Sequence, residues 1–177
     1  MNVPPIATLW STIHSNTRAA VITLLAASTL LAGLPLVAQA KTPKHDPFAQ
    51  YPAGAMYAGR SAGVDRSSSK DAVTFRTRLR EAVRNSKGPD FAGHWLVAMW
   101  GCGASCQQIA LIDMRNGKVQ LVPEAGAAGA LYRKDSRLLI VNPPAEIAKV
   151  RAALPPGVHP SYYAVGADGV LVHLAAP

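Results

Sequence analysis

Acidic side chains are missing from the first stretch of this chain: Asp46 is the first of only ten in 177 residues. Cysteine is almost as scarce, with Cys102 and Cys106 alone. No cysteine therefore lies near a processing site, which argues against a lipid-bearing N-terminus. His-Glu-x-x-His is absent, and no two histidines stand four apart, which removes the usual helical zinc site. No repeat of fixed period occurs, which excludes a solenoid or propeller.

What is present begins with an apolar run from Ala19 to Ala38. Arg18 precedes it, and the small-x-small sequence Ala38-Gln39-Ala40 follows. Positive charge, apolar stretch and small residues in that order make a secretory signal, and we expect cleavage between Ala40 and Lys41. A retained membrane anchor is the alternative. The run is long enough to span a bilayer, but Thr23, Ser28, Thr29, Gly33 and Pro35 weaken it, so contact with a membrane is expected only if the signal is kept. Cleavage leaves 137 residues, Lys41 to Pro177, carrying seventeen Lys and Arg against ten acids, a net charge of +7. The expected location is the periplasm or the exterior, and the expected partners are an envelope protein or an anionic cell-wall polymer. Nucleic acid is not expected outside the cytoplasm.

Residues 41–68 are rich in Pro, Gly and Ser and are expected as a flexible arm. Residues 69–177 are expected as one domain. Within it, 69–87 reads as an amphipathic helix, capped by Ser68 or Ser69, with Ala72, Phe75, Leu79, Ala82 and Val83 on one stripe. Arg76, Arg80 and Arg84 form a basic row beside that stripe. His94–Trp100 is apolar on both faces, as a covered central strand is. Gly101–Ser105 is a tight turn, Gln107–Met114 a strand, and Asn116-Gly117 a hairpin signal leading to Lys118–Val122. Two further hairpins are expected around Lys134-Asp135-Ser136 and Asp168-Gly169, with a short helix over about Ala145–Leu154 between them. The predicted class is α+β: an antiparallel meander of five to seven strands, one amphipathic N-terminal helix and one short C-terminal helix.

Two catalytic patterns occur and lack their context. Gly59-Arg60-Ser61-Ala62-Gly63 matches G-x-S-x-G, but its flanks read as loop rather than strand and helix. Ser67-x-x-Lys70 matches S-x-x-K without the companion S-x-N and K-T-G elements. Cys102 and Cys106 are expected to pair in an oxidising compartment. Closing so short a loop contributes about 2 kcal/mol. The pairing removes the only thiols, so neither a metal nor another cofactor is expected.

The densest pattern is Phe91-Ala92-Gly93-His94-Trp95, then Trp100-Gly101-Cys102-Gly103-Ala104-Ser105-Cys106-Gln107, then Asp113-x-x-Asn116-Gly117-Lys118-Val119. Over about residues 90–122 it resembles a family of small secreted proteobacterial proteins that carries no assigned activity. The resemblance implies that the cysteine turn is a designed feature of the fold and implies nothing about chemistry. From the residues themselves, His94, Trp100, Gln107 and Gln108 are candidates to surround a rigid turn that meets a partner, with Arg76, Arg80 and Arg84 as a second surface. The opposing reading makes the tryptophans core and the disulfide a staple. The sequence favours a non-enzymatic, exported binding protein, such as an inhibitor or immunity-type protein. The alternatives are a small hydrolase using Ser61 or His94, and a structural or stress-related envelope protein.

Overall fold

The structure, a computed structural model, describes residues 46–176. The expected signal segment and its cleavage site lie outside the described residues. Among the described residues, no helix is long and apolar enough to cross a membrane.

Seven strands form, all antiparallel to their neighbours, but they make two sheets rather than one meander. The first sheet contains β1 (Trp95–Gly103), β2 (Cys106–Asp113) and β3 (Val119–Leu121) in that order. The second contains β4 (Ala130–Tyr132), β5 (Leu138–Val141), β6 (Ser161–Val165) and β7 (Leu171–Leu174), also in chain order. The division falls after Pro123, which cannot donate to a ladder. The small residues 125–130 then let the chain cross from one sheet to the other.

Stacking explains why two sheets form. Side chains alternate across a strand, and here both faces are apolar. Trp95, Val97, Ile109 and Leu111 point from the first sheet toward Leu139, Val141, Tyr163 and Val165 of the second, and these pack as one core. Leu96, Ala98, Ala110 and Ile112 on the opposite face of the first sheet pack under Ala72 and Leu79. On the outer face of the second sheet, Leu138 and Ile140 pack with Phe48. The result is helix, sheet, sheet and an outer N-terminal cover.

The helix expected over 69–87 is bent into α1 (Lys70–Thr74) and α2 (Arg76–Asn85). Ser69 caps it by accepting from Ala72 N at 3.1 Å. The ladder continues through the bend, since Phe75 N donates to Asp71 O and Leu79 N to Phe75 O. Thr74 Oγ1 donates back to Lys70 O at 3.0 Å, a contact that bends helices. The bend lets the Phe75 ring meet Trp100, centroids 5.0 Å apart. The C-terminal helix is α3 (Pro144–Val150), followed by a 3-10 turn, Arg151–Ala153.

The expected free arm is corrected over residues 46–68. This segment runs along the domain as a strap. Buried Ser136 donates its hydroxyl to Phe48 O and Tyr51 O at 3.0 and 2.9 Å. Further along, Tyr57 N donates to Gly93 O, Ala62 N to Met114 O and Asp65 N to Gly117 O. Proline and glycine here break helices and strands, but they leave carbonyls and N–H groups free to bond the domain surface.

Gly117 shows how tightly the strap fits. It has φ +79°, and a Cβ placed on it would lie 2.7 Å from Asp65 N. Gly157 has φ +82° with open space around it. Gly117→Ala carries backbone strain and a steric clash, so it should destabilise by about 2 kcal/mol or more, and Gly157→Ala by about 1 kcal/mol. Urea denaturation of the two variants checks the order.

Candidate functional site

The β1–β2 ladder is the axis on which the candidate residues are placed. Its register sets Trp95 opposite Asp113 at one end and Gly103 opposite Cys106 at the other. The sequence reading gathered His94, Trp100, Gln107 and the cysteines around one turn, and the ladder separates them. Cys102 and Cys106 form a disulfide, Cα atoms 5.1 Å apart, at the far tip. Gln107 lies beside that tip, its backbone paired with Gly126 in both directions. Trp100 faces the helix layer and packs on Phe75. Arg76, Arg80 and Arg84 are exposed on α2, with Arg80 and Arg84 lining a shallow groove beside Gly63 and Val64. His94 stands alone at the opposite end of β1.

A cleft of about 370 Å³ opens at that end. One lip is the five-residue loop between β2 and β3, carrying Arg115, Asn116 and Lys118. The other is the β6–β7 turn, Gly166–Val170, and His94 and Trp95 line the space between. Gln120 on β3 ties the lips together. Its Oε1 accepts from Leu171 N at 3.1 Å, and its Nε2 donates to Gly169 O.

Asp113 organises the first lip. Its residue is only 2% exposed, yet both carboxylate oxygens are engaged. Oδ1 accepts from Arg115 N and Nε at 2.9 and 3.1 Å. Oδ2 accepts from Arg115 Nη2 at 2.9 Å and Asn116 Nδ2 at 3.2 Å. Burial pushes this carboxyl upward, and the Arg115 hydrogen bonds and charge outweigh it, holding Asp113 below its ordinary value of 3.8. It is a charged carboxylate with its acceptor sites filled.

His94 Nε2 lies 3.8 Å from Asp113 Oδ2, beyond hydrogen-bond reach. It is buried with no hydrogen-bond partner among the described residues, and so is Trp95 Nε1. These are the only two such side-chain atoms among the described residues, and both residues line the same cleft. Buried polar groups left unpaired cost about 1–3 kcal/mol each, so two on adjacent residues mark a place where partners come from outside the chain. Burial, and then the Arg115 charge, lower the His94 pKa below 6.5, with Asp113 opposing them. Both effects favour the neutral imidazole.

The other sequence candidates do not converge on this cleft. Ser61 Oγ contacts Met114 Sδ at 3.7 Å and accepts from Gly63 N at 3.1 Å, with no acid or histidine among its partners. Ser67 Oγ donates to Asp65 Oδ1 at 2.6 Å. Among the described residues, no three His, Cys, Asp or Glu side chains gather as a metal site. Trp95, Asp113 and Lys118 belong to the densest sequence pattern and Asp168 to an expected hairpin turn, but none of them is a site candidate there, and neither is Arg115 or Gln120. A register shift between Gly101 and Gly103 sets Trp95 opposite Asp113, whereas counting straight back from the Gly103–Cys106 pair would set it opposite Met114.

Two outcomes follow from this geometry. In histidine NMR titrations, His94 titrates below 6.5, and Arg115→Gln raises its pKa by removing the opposing charge. Because the unfolded chain binds this proton more readily, His94 removes stability as pH falls from about 6.5 toward its folded pKa, and a denaturation series over that window shows the slope. Replacing both Cys102 and Cys106 by Ser should cost about 2 kcal/mol, read by thermal melting, and leave the His94 titration unchanged because the ladder separates the sites.

No family model matches the chain, and neither a curated protein nor a solved structure shows significant similarity to it.

Proposed function

We propose that this chain is an exported binding protein of the bacterial envelope, and that its ligand enters the cleft between the 115–118 loop and the 166–170 turn. One observation carries the reading: His94 and Trp95, the two residues with buried polar atoms left unpaired among the described residues, line one concave site. Ligand sites are concave and place a few polar groups on a largely pre-formed wall. Here the wall is pre-formed, because Asp113 fixes the first lip and Gln120 holds the second. The signal-like N-terminus and the Cys102–Cys106 pair support export.

Hydrolysis by His94 fits less well. A general base needs an orienting partner, and the Asp113 oxygens are occupied by Arg115 and Asn116. A macromolecular partner, as an inhibitor or immunity-type protein would have, is favoured by one feature. Met99 is 43% exposed close to the disulfide tip, and it shares a shallow depression with Trp100, Cys106 and Gln107.

Thermal melting of the exported protein against fractions of periplasm and solubilised cell wall tests the reading. A ligand at about 100 times its Kd stabilises by about 2.7 kcal/mol, a shift of several degrees. At least one fraction should raise the melting temperature of the wild type and of Met99→Ser but not of His94→Ala. The same loss in Met99→Ser alone would move the site to the disulfide tip. No shift with any fraction would defeat the reading.

A further inference from the structure

We propose that the cleft holds its ligand by a carboxylate group. This rests on the reading of the cleft as a ligand site and narrows it to a chemical class.

The indole Nε1–H only donates, and Trp95 is 1% exposed, so whatever satisfies it enters through the cleft and brings an acceptor. At His94, the Asp113 carboxylate 3.8 Å from Nε2 favours the tautomer with the proton on that nitrogen. Asp113 cannot take that proton into a hydrogen bond, since Arg115 and Asn116 already fill its oxygens. Two donors without a partner among the described residues thus sit on adjacent residues that line one cleft, rings 5.5 Å apart. A group with two acceptor oxygens answers that arrangement better than a hydroxyl with one.

The charges on the lips select among such groups. Arg115 is half exposed and presents the outer side of its guanidinium while Asp113 holds the inner side. Lys118 is exposed, with no ion-pair partner among the described residues. Against these stand Asp113 and, on the far lip, Asp168, whose Oδ1 accepts from Val170 N at 3.0 Å. Two cations and two carboxylates leave the site formally neutral. It can accept one negative charge on the Arg115–Lys118 side. A dianion would meet the uncompensated Asp168 charge across the cleft. The carboxylate therefore fits and a phosphate dianion does not. Asp168 further suits a ligand whose opposite end donates hydrogen bonds.

The test uses the exported, nitrogen-15-labelled protein at pH 7.5 and fixed ionic strength. The Trp95 indole resonance is assigned by its loss in Trp95→Phe. Acetate, inorganic phosphate and glucose are titrated separately. Acetate should move the resonance saturably, at a lower midpoint than phosphate, and glucose should leave it in place. Lys118→Gln, a surface change that leaves the core intact, should weaken the acetate response about two- to five-fold, as loss of a rim charge does. A lower midpoint for phosphate or glucose than for acetate overturns the proposal. So does an indole unmoved by all three while an envelope fraction still raises the melting temperature, an outcome that spares the binding reading. Silence from both the probes and the fractions removes both.

Discussion

A buried, charged carboxylate is the constraint from which the working end of this protein follows. Ionised Asp113 in a dry position would cost several kcal/mol if left alone. The chain meets that cost with four donors from Arg115 and Asn116. Those bonds dictate the shape of the β2–β3 loop, which also closes through Gly117 N to Asp113 O at 2.7 Å. The loop in turn presents a surface to the strap, which bonds it at Met114 O and Gly117 O. One carboxylate thus links the ladder end, the loop and the N-terminal segment.

The same saturation isolates His94. A histidine beside a carboxylate is ordinarily read as a pair, and here the distance of 3.8 Å and the filled oxygens prevent it. Trp95 is isolated for a different reason. Its ring packs in the core between the two sheets, and the 166–170 turn passes over it close enough that a Cβ on Gly169 would touch the ring at 3.5 Å. Packing fixes the N–H, and nothing among the described residues meets it. Elsewhere among the described residues the buried polar side chains are paired: Ser136 through the strap, and Asn142 through Ala128 N at 2.8 Å. The exceptions are confined to one place.

Much of the layer order was legible in the sequence. The doubly apolar pattern of Trp95–Ala98 announces a central strand, and the stripe through Ala72, Phe75 and Leu79 announces the helix that covers it. Two cysteines with three residues between them, the first flanked by glycines, announce the closed hairpin tip. Less legible was the division into two sheets, because Leu138–Val141 and Ile109–Ile112 are apolar on both faces and such runs do not say which sheet they join. The strap was illegible because backbone bonds to Ser136, Gly93 and Gly117 leave no periodic trace. The site was missed for a related reason. Sequence proximity drew His94 toward the cysteine turn, whereas the ladder places it a full strand length away, beside a carboxylate from the next strand.

The central claim is that His94 and Trp95 are left unpaired for a ligand. A high-resolution crystal structure of the protein purified from its own exported pool tests it most directly. The account predicts a polar atom from outside the chain at about 3 Å from Trp95 Nε1, with His94 Nε2 bonded to the same bound molecule. An indole N–H donating instead to an oxygen of the chain itself, with the cleft closed over it, would contradict the account.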